Sequence, residues 1–180
     1  MPILSGANSK TKEEIDQNLM ERAEANDPIA LFKLGVKCEH EGEYEGAFEY
    51  FSKAAALGDI NAHYNLSIMY QKGEGVEKDI KKEMYHLEEA SIGGHPEARY
   101  NLGCYEWNNG RPERALKHCI IAAKLGDDDA LSKVKYGFRR GLVSKEDFEA
   151  ALRGHQAAVD ATKSQQRDAA AEYYKRRNQE

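Results

Sequence analysis

The pentad Gly-x-x-x-Ala returns along this chain at Gly58–Ala62, Gly94–Ala98 and Gly126–Ala130, with a degenerate copy at Asn26–Ala30. Successive alanines of these pentads lie 32, 36 and 32 residues apart. A period of this length marks stacked helix pairs. One such pair cannot bury its apolar face alone, and about three must stack before a stable core exists. Four residues after each alanine, one helical turn on, stands an apolar residue: Leu34, Leu66, Leu102 and Val134. Small residues precede each later glycine, at Ala54-Ala55, Ala90-Ser91 and Ala122-Ala123, and Gly42, Gly73-Glu74-Gly75, Gly110 and Gly141 mark a turn inside each unit. Each unit therefore reads helix A, turn, helix B, and a glycine that closes helix B in a left-handed cap.

The alanines have a steric reason. Where two helices cross closely, a larger side chain at Ala30, Ala62, Ala98 or Ala130 would push the axes apart. The leucines above, with Phe51, Leu87 and Cys119 on the B helices, fill the layer between units. Asp59 and Asp127, directly after cap glycines, suit the start of the next helix. The longer unit carries its extra residues in the turn Gly73–Asp79, where Asp79 is placed to cap the next helix. The sequence thus predicts an all-α fold, a right-handed superhelical α-solenoid of stacked antiparallel helix pairs. Residues 1–12 read as a flexible tail and 13–143 as the repeat array, with units at about 27–59, 60–95, 96–127 and 128–143 onward. Residues 144–174 read as a capping helix, opened by the capping-box-like Ser144-Lys145-Glu146-Asp147. Its Phe148, Leu152, His155 and Val159 share one face; Gly154 weakens it, and Lys163-Ser164-Gln165-Gln166 is where a break would fall. Residues 175–180 read as a tail.

The residues resemble the Sel1-like repeat family, a relative of the tetratricopeptide repeat. The resemblance rests on Ala62-His63-Tyr64-Asn65-Leu66-Ser67, Tyr70, Gly73-Glu74-Gly75-Val76, Asp79, Lys82, Tyr85, Ala90 and Gly94. The next unit adds Ala98-Arg99-Tyr100-Asn101-Leu102-Gly103, Arg114-Ala115, Ala122-Ala123 and Gly126. Departures are Ser67 in place of glycine, Glu83 where other units have Ala47 and Ala115, and a fourth unit that loses the asparagine. The resemblance implies a scaffold or adaptor in protein complexes. It leaves two alternatives: a fragment of a larger signalling or ubiquitin-pathway protein, and a small-molecule hydrolase of the kind linked to some relatives. Those hydrolase-linked relatives, like some secreted members, carry regular disulfide pairs. Here Cys104 and Cys119 are 15 residues apart and Cys38 is left over.

Net charge −5 and a pI near 5.8 give no electrostatic case for nucleic acid or an anionic membrane, and the basic Lys175-Arg176-Arg177 is too short to change that. Mean hydropathy is −0.78, and no apolar run approaches the roughly 20 residues of a membrane span. The start, Met1–Gly6, does not read as a signal peptide, and the odd cysteine number fits a reducing compartment, so a cytoplasmic location is expected. No catalytic residues, metal ligands or cofactor are expected. None of the histidines has metal-ligand spacing. His86 and His118 align with Tyr50, a packing position that wants a ring, and Asp127-Asp128-Asp129 reads as a helix start. The candidate partner-binding residues lie on helix A: Asn65 and Asn101 at matching positions, Tyr64 and Tyr100 beside them, and Tyr70, Tyr105 and Trp107 on later turns. In stacked pairs helix A lines the concave side. An amide can both donate to and accept from an extended peptide backbone, and Tyr and Trp are enriched at binding hot spots. The competing role for the same residues is inter-repeat packing. The expected partner is a protein or peptide, and the expected state a monomer or weak homodimer.

Overall fold

The computed structural model describes residues 12–177. The expected flexible tail at 1–12 lies, but for its last residue, outside them, as do 178–180. Among the described residues there are nine helices and no strand. They are α1 (Lys12–Glu24), α2 (Pro28–Glu41), α3 (Tyr44–Ala56), α4 (Ile60–Lys72), α5 (Ile80–Ile92), α6 (Pro96–Asn108), α7 (Pro112–Lys124), α8 (Asp128–Arg139) and α9 (Lys145–Arg177). The chain divides into two compact units, Met1–His86 and Leu87–Glu180, and the boundary falls inside α5.

In the first unit α2 packs on α3, α3 on α4, and α1 on α2. Ala30, Ala47, Phe51, Ala54 and Ala62 have no exposed surface, and Leu66 and Met69 have almost none. The helix α1 carries no pentad, so the repeat pattern does not reveal it. Its Leu19 and Ala23 pack into the same core, and Asp16 pairs with Lys37 at 2.7 Å. In the second unit α6 packs on α7, and α7 on both α8 and α9. Its core joins Leu116, Cys119, Ala122, Ala123, Ala130, Val134 and Ala151, with Phe148 and Leu152 packed against it.

The punctuation follows local chemistry. The cap glycines Gly58, Gly94 and Gly126 sit at φ +87, +94 and +101, and Asn26, their degenerate counterpart, at +58. Asparagine tolerates that region better than most residues. Asp27, Asp59 and Asp127 accept from backbone amides of the helices they precede, and Asp79 accepts from Lys81 and Lys82. In α6 the same place is held by His95, whose Nδ1 accepts from the Ala98 amide at 3.3 Å. Ser144 and Asp147 form the expected cap of α9.

Two features differ from the sequence reading. The helix α9 runs through Lys163–Gln166 without a break to Arg177; these exposed residues include good helix formers and have no competing partner to leave the helix for. Gly154 is a crossing point as well as a weak helix residue. A Cβ there would lie 2.7 Å from Lys124 Cγ, so the glycine lets α9 pass close to the end of α7.

Candidate functional site

Within the first unit, α4 presents Tyr64 and Asn65 half-buried. Tyr70 departs from the expectation of a residue turned away from the core. It is 6% exposed, edge-on to Phe48 at 5.7 Å and stacked on His86 at 5.6 Å. The longer turn before α5 gives Tyr70 a second helix to pack against, so it serves the core and not a partner. Within the second unit, α6 presents Tyr100 and Asn101 half-buried, Tyr105 41% exposed and Trp107 37% exposed. Tyr100 packs against the core, and burial, with a hydrogen bond to the Cys104 thiol, raises its phenol above the ordinary value. Of the seven expected residues, Tyr105 and Trp107 are thus the most exposed, the asparagines intermediate, and Tyr70 internal.

A cavity of about 70 Å3, open to solvent on one side, lies beside Trp107. Gly103, Ala115, Leu116 and Cys119 line its inner part, and Cys104, Asn108 and Lys133 complete it with Trp107. Burial pushes the Cys119 thiol up to about 12, so it is a packing group and not a nucleophile. Trp107 meets Tyr136 edge-on at 6.3 Å, and the Arg140 guanidinium lies over the Tyr136 ring at 5.3 Å. The repeat pattern pointed to Trp107 but not to Asn108, Lys133, Tyr136 or Arg140. The available signal was register: Lys133 follows Ala130 by the three residues that separate Asn101 from Ala98.

The residue directly after the pentad alanine forms a second polar feature. In the first unit His63 Nε2 lies 3.1 Å from the Ala55 carbonyl oxygen, and its Nδ1 lies 3.0 Å from His86 Nδ1. A carbonyl only accepts, so His63 donates from Nε2, and with both rings neutral its Nδ1 accepts from His86. Burial, helped by His63 and Lys82, lowers His86 to about 4. In the second unit Arg99 makes the equivalent reach, donating to the Ser91 carbonyl at 2.8 Å. Each link ties helix A to the end of the preceding B helix. Nearby, Glu106 is 8% exposed and pairs with Arg111 and with Arg114, and the Arg111 guanidinium holds its carboxyl below the usual range. Among the described residues no three His, Cys, Asp or Glu side chains converge as metal ligands, and no helix is long and apolar enough to cross a membrane.

The Sel1 repeat model matches residues 28–59, 60–95 and 96–127, more than half of the chain. The chain belongs to the Sel1 repeat family. Sel1 repeat proteins are in general protein-interaction scaffolds. A Sel1 repeat protein from Oxalobacter formigenes is 27% identical, with a TM-score of 0.72 over 87% of this chain and 49% of its own. HcpC of Helicobacter pylori is 41% identical over 56 residues, 31% of this chain and 19% of HcpC. DAP3-binding cell death enhancer 1 of Mus musculus is 31% identical over 70% of this chain and 32% of its own length. The chain therefore spans about a fifth to a third of these two curated relatives.

Proposed function

We propose that this Sel1 repeat chain is a non-catalytic scaffold or adaptor that holds protein or peptide partners on the surface of its A helices. One observation carries the reading. On α6, a helix whose other face is core, Tyr105 and Trp107 keep 41% and 37% of their surface in solvent. Large rigid aromatics in that position are the usual anchors of protein interfaces. The half-exposed Asn65 and Asn101 supply backbone-type hydrogen bonding beside them. The relative named as DAP3-binding is consistent with a protein partner. Within the same proposal the partner is neither nucleic acid nor membrane, since the net charge is −5. The protein acts as a monomer or weak homodimer in the cytoplasm, for which the odd cysteine number argues.

The test is an affinity pull-down from native extract, with the wild-type chain beside Asn65→Ala/Asn101→Ala and Tyr105→Ala/Trp107→Ala, all checked by circular dichroism. Prey retained by wild type and lost by a fully helical variant supports the reading. A prey set unchanged in both variants removes the A-helix surface as the binding face. A second reading, a small-molecule hydrolase, rests on the name of HcpC, which provisionally assigns that protein as a beta-lactamase. Turnover of lactam, ester or amide substrates by the purified chain would replace the scaffold reading.

A further inference from the structure

Aligning the repeat sequences on their pentad alanines puts Lys33, Asn65, Asn101 and Lys133 at one register position, three residues after Ala30, Ala62, Ala98 and Ala130. The middle copies carry amides and the outer copies ammonium groups. At Lys133 the cavity beside Trp107 lies within reach of the same helix face. The next turn of α8 on that face holds Tyr136, three residues on, and Arg140, the residue that caps the end of α8, lays its guanidinium over the Tyr136 ring. The cavity's inner surface is apolar, set by Gly103, Ala115, Leu116 and Cys119. Its rim is polar and cationic. Among the described residues, Lys133 and Arg140 belong to no ion pair, and neither the Asn108 amide nor the Trp107 indole N–H has a hydrogen-bond partner. An apolar pit walled by an exposed tryptophan, with unspent donors around it, has the anatomy of an interface anchor site.

We infer that this cavity seats one aliphatic or aromatic side chain of an acidic peptide segment in the partner, whose neighbouring carboxylates engage Lys133 and Arg140. The inference rests on the protein- or peptide-binding reading and names the chemistry of its partner. Charge complementarity selects the occupant. A chain of net charge −5 presents Lys133 in the cavity lining and Arg140 over Tyr136, and among the described residues neither has a carboxylate within 4 Å. A basic segment would be repelled from the rim, and a neutral one would leave both cations unused. The inner lining offers a buried polar head no side-chain partner stronger than the Cys119 thiol, which favours an apolar insert.

Trp107 is the single tryptophan of the chain, so its indole resonance reports on this cavity alone. The 15N-labelled full chain is titrated with the synthetic peptide acetyl-Gly-Asp-Glu-Leu-Asp-Glu-Gly-amide. Its controls replace the central Leu by Ala, or all four acidic residues by Lys. The expected result is a saturable indole shift with the acidic leucine peptide. Either control peptide, or the variant Lys133→Glu, weakens binding by about tenfold or more, while Lys133→Arg keeps it. An indole that does not move with the acidic peptide overturns the inference, as does an equal response to the Lys peptide or an affinity indifferent to Lys133→Glu. Shifts confined to amides around Asn65 or Asn101 overturn this site and leave the scaffold reading standing. Conversely, a saturable indole shift beside a pull-down with no prey supports the site and counts against the adaptor role. An indole that shifts on dilution of the chain alone assigns the cavity to a second copy, and the inference fails.

Discussion

Gly75 sits at φ +68, and a Cβ built there would lie 2.3 Å from the Tyr44 carbonyl oxygen. The long turn before α5 thus folds back onto the start of α3, with Val76 packed against the first core. Gly141 has nearly the same backbone, φ +72, but open space around it. The two positions separate conformational strain from steric collision. Gly141→Ala should lower stability by about 1 kcal/mol, the cost of a left-handed L-residue. Gly75→Ala should cost about 3 kcal/mol, because overpacking against backbone adds to that strain. Urea unfolding midpoints of the two variants check the difference, and equal losses would mean the turn relaxes freely away from α3. The same steric logic accounts for Ser67. It stands where α2 and α6 have Gly35 and Gly103, is 3% exposed, and returns its hydroxyl to the Tyr64 carbonyl at 2.7 Å. At Gly103 a Cβ would come within 3.1 Å of the Ala115 carbonyl, so only the smallest side chains suit the crossing of α6 on α7.

At the scale of the helix, α6 begins differently from its siblings. His95 caps it where Asp27, Asp59 and Asp127 cap α2, α4 and α8. An imidazole accepts through Nδ1 only when that nitrogen carries no proton, and burial lowers the His95 pKa accordingly. His95→Asp should stabilise the chain by about 0.5–1 kcal/mol near neutral pH, read as a rise in thermal midpoint. The α4–α5 contact depends on protonation in the same sense. His86 titrates near 4 when folded against an ordinary 6.5. The unfolded chain therefore binds this proton first. Stability from His86 is intact above pH 6.5, declines as pH falls toward 4, and changes no further below that. His63, Tyr70, Tyr85 and Lys82 are the groups that surround it. His86→Phe, with a ring as at the equivalent Tyr50, should flatten the fall in urea midpoint between pH 7 and 4.5. An unchanged pH profile would assign that fall to other groups.

For the whole molecule, each compact unit has its own apolar cluster and its own set of fully buried alanines. The helix α9 closes the second cluster with its first half only. Ala151 is fully buried and Phe148 stacks on Phe138 at 4.3 Å, whereas Ala161–Ala170 are exposed throughout. Phe148→Ala should cost about 2 kcal/mol, a partly buried case of the usual aromatic truncation. Removing residues 163–180 should change stability by less than about 0.5 kcal/mol. Chemical denaturation of both variants tests this, and a large loss on truncation would place a structural role in the second half of α9.

The periodic features of this protein were legible in the chain because they answer to local geometry. The pentad alanines, cap glycines, aspartate caps and apolar residues at Leu34, Leu66, Leu102 and Val134 recur with the repeat of 32 to 36 residues, and each is explained by the turn or crossing it occupies. Repeat register also brought Tyr105 and Trp107 to notice. The features without a period needed the tertiary structure. The residues before Asn26 hold no pentad, so α1 emerged only from its packing. Tyr70 is buried because the inserted turn lets His86 lie on its ring, a contact 16 residues away that spacing does not encode. Gly154 and Gly75 are set by close approach to Lys124 and Tyr44. The cavity draws on α6, α7 and α8 together, so Lys133 and Asn108 acquired a joint role only once those helices were packed side by side.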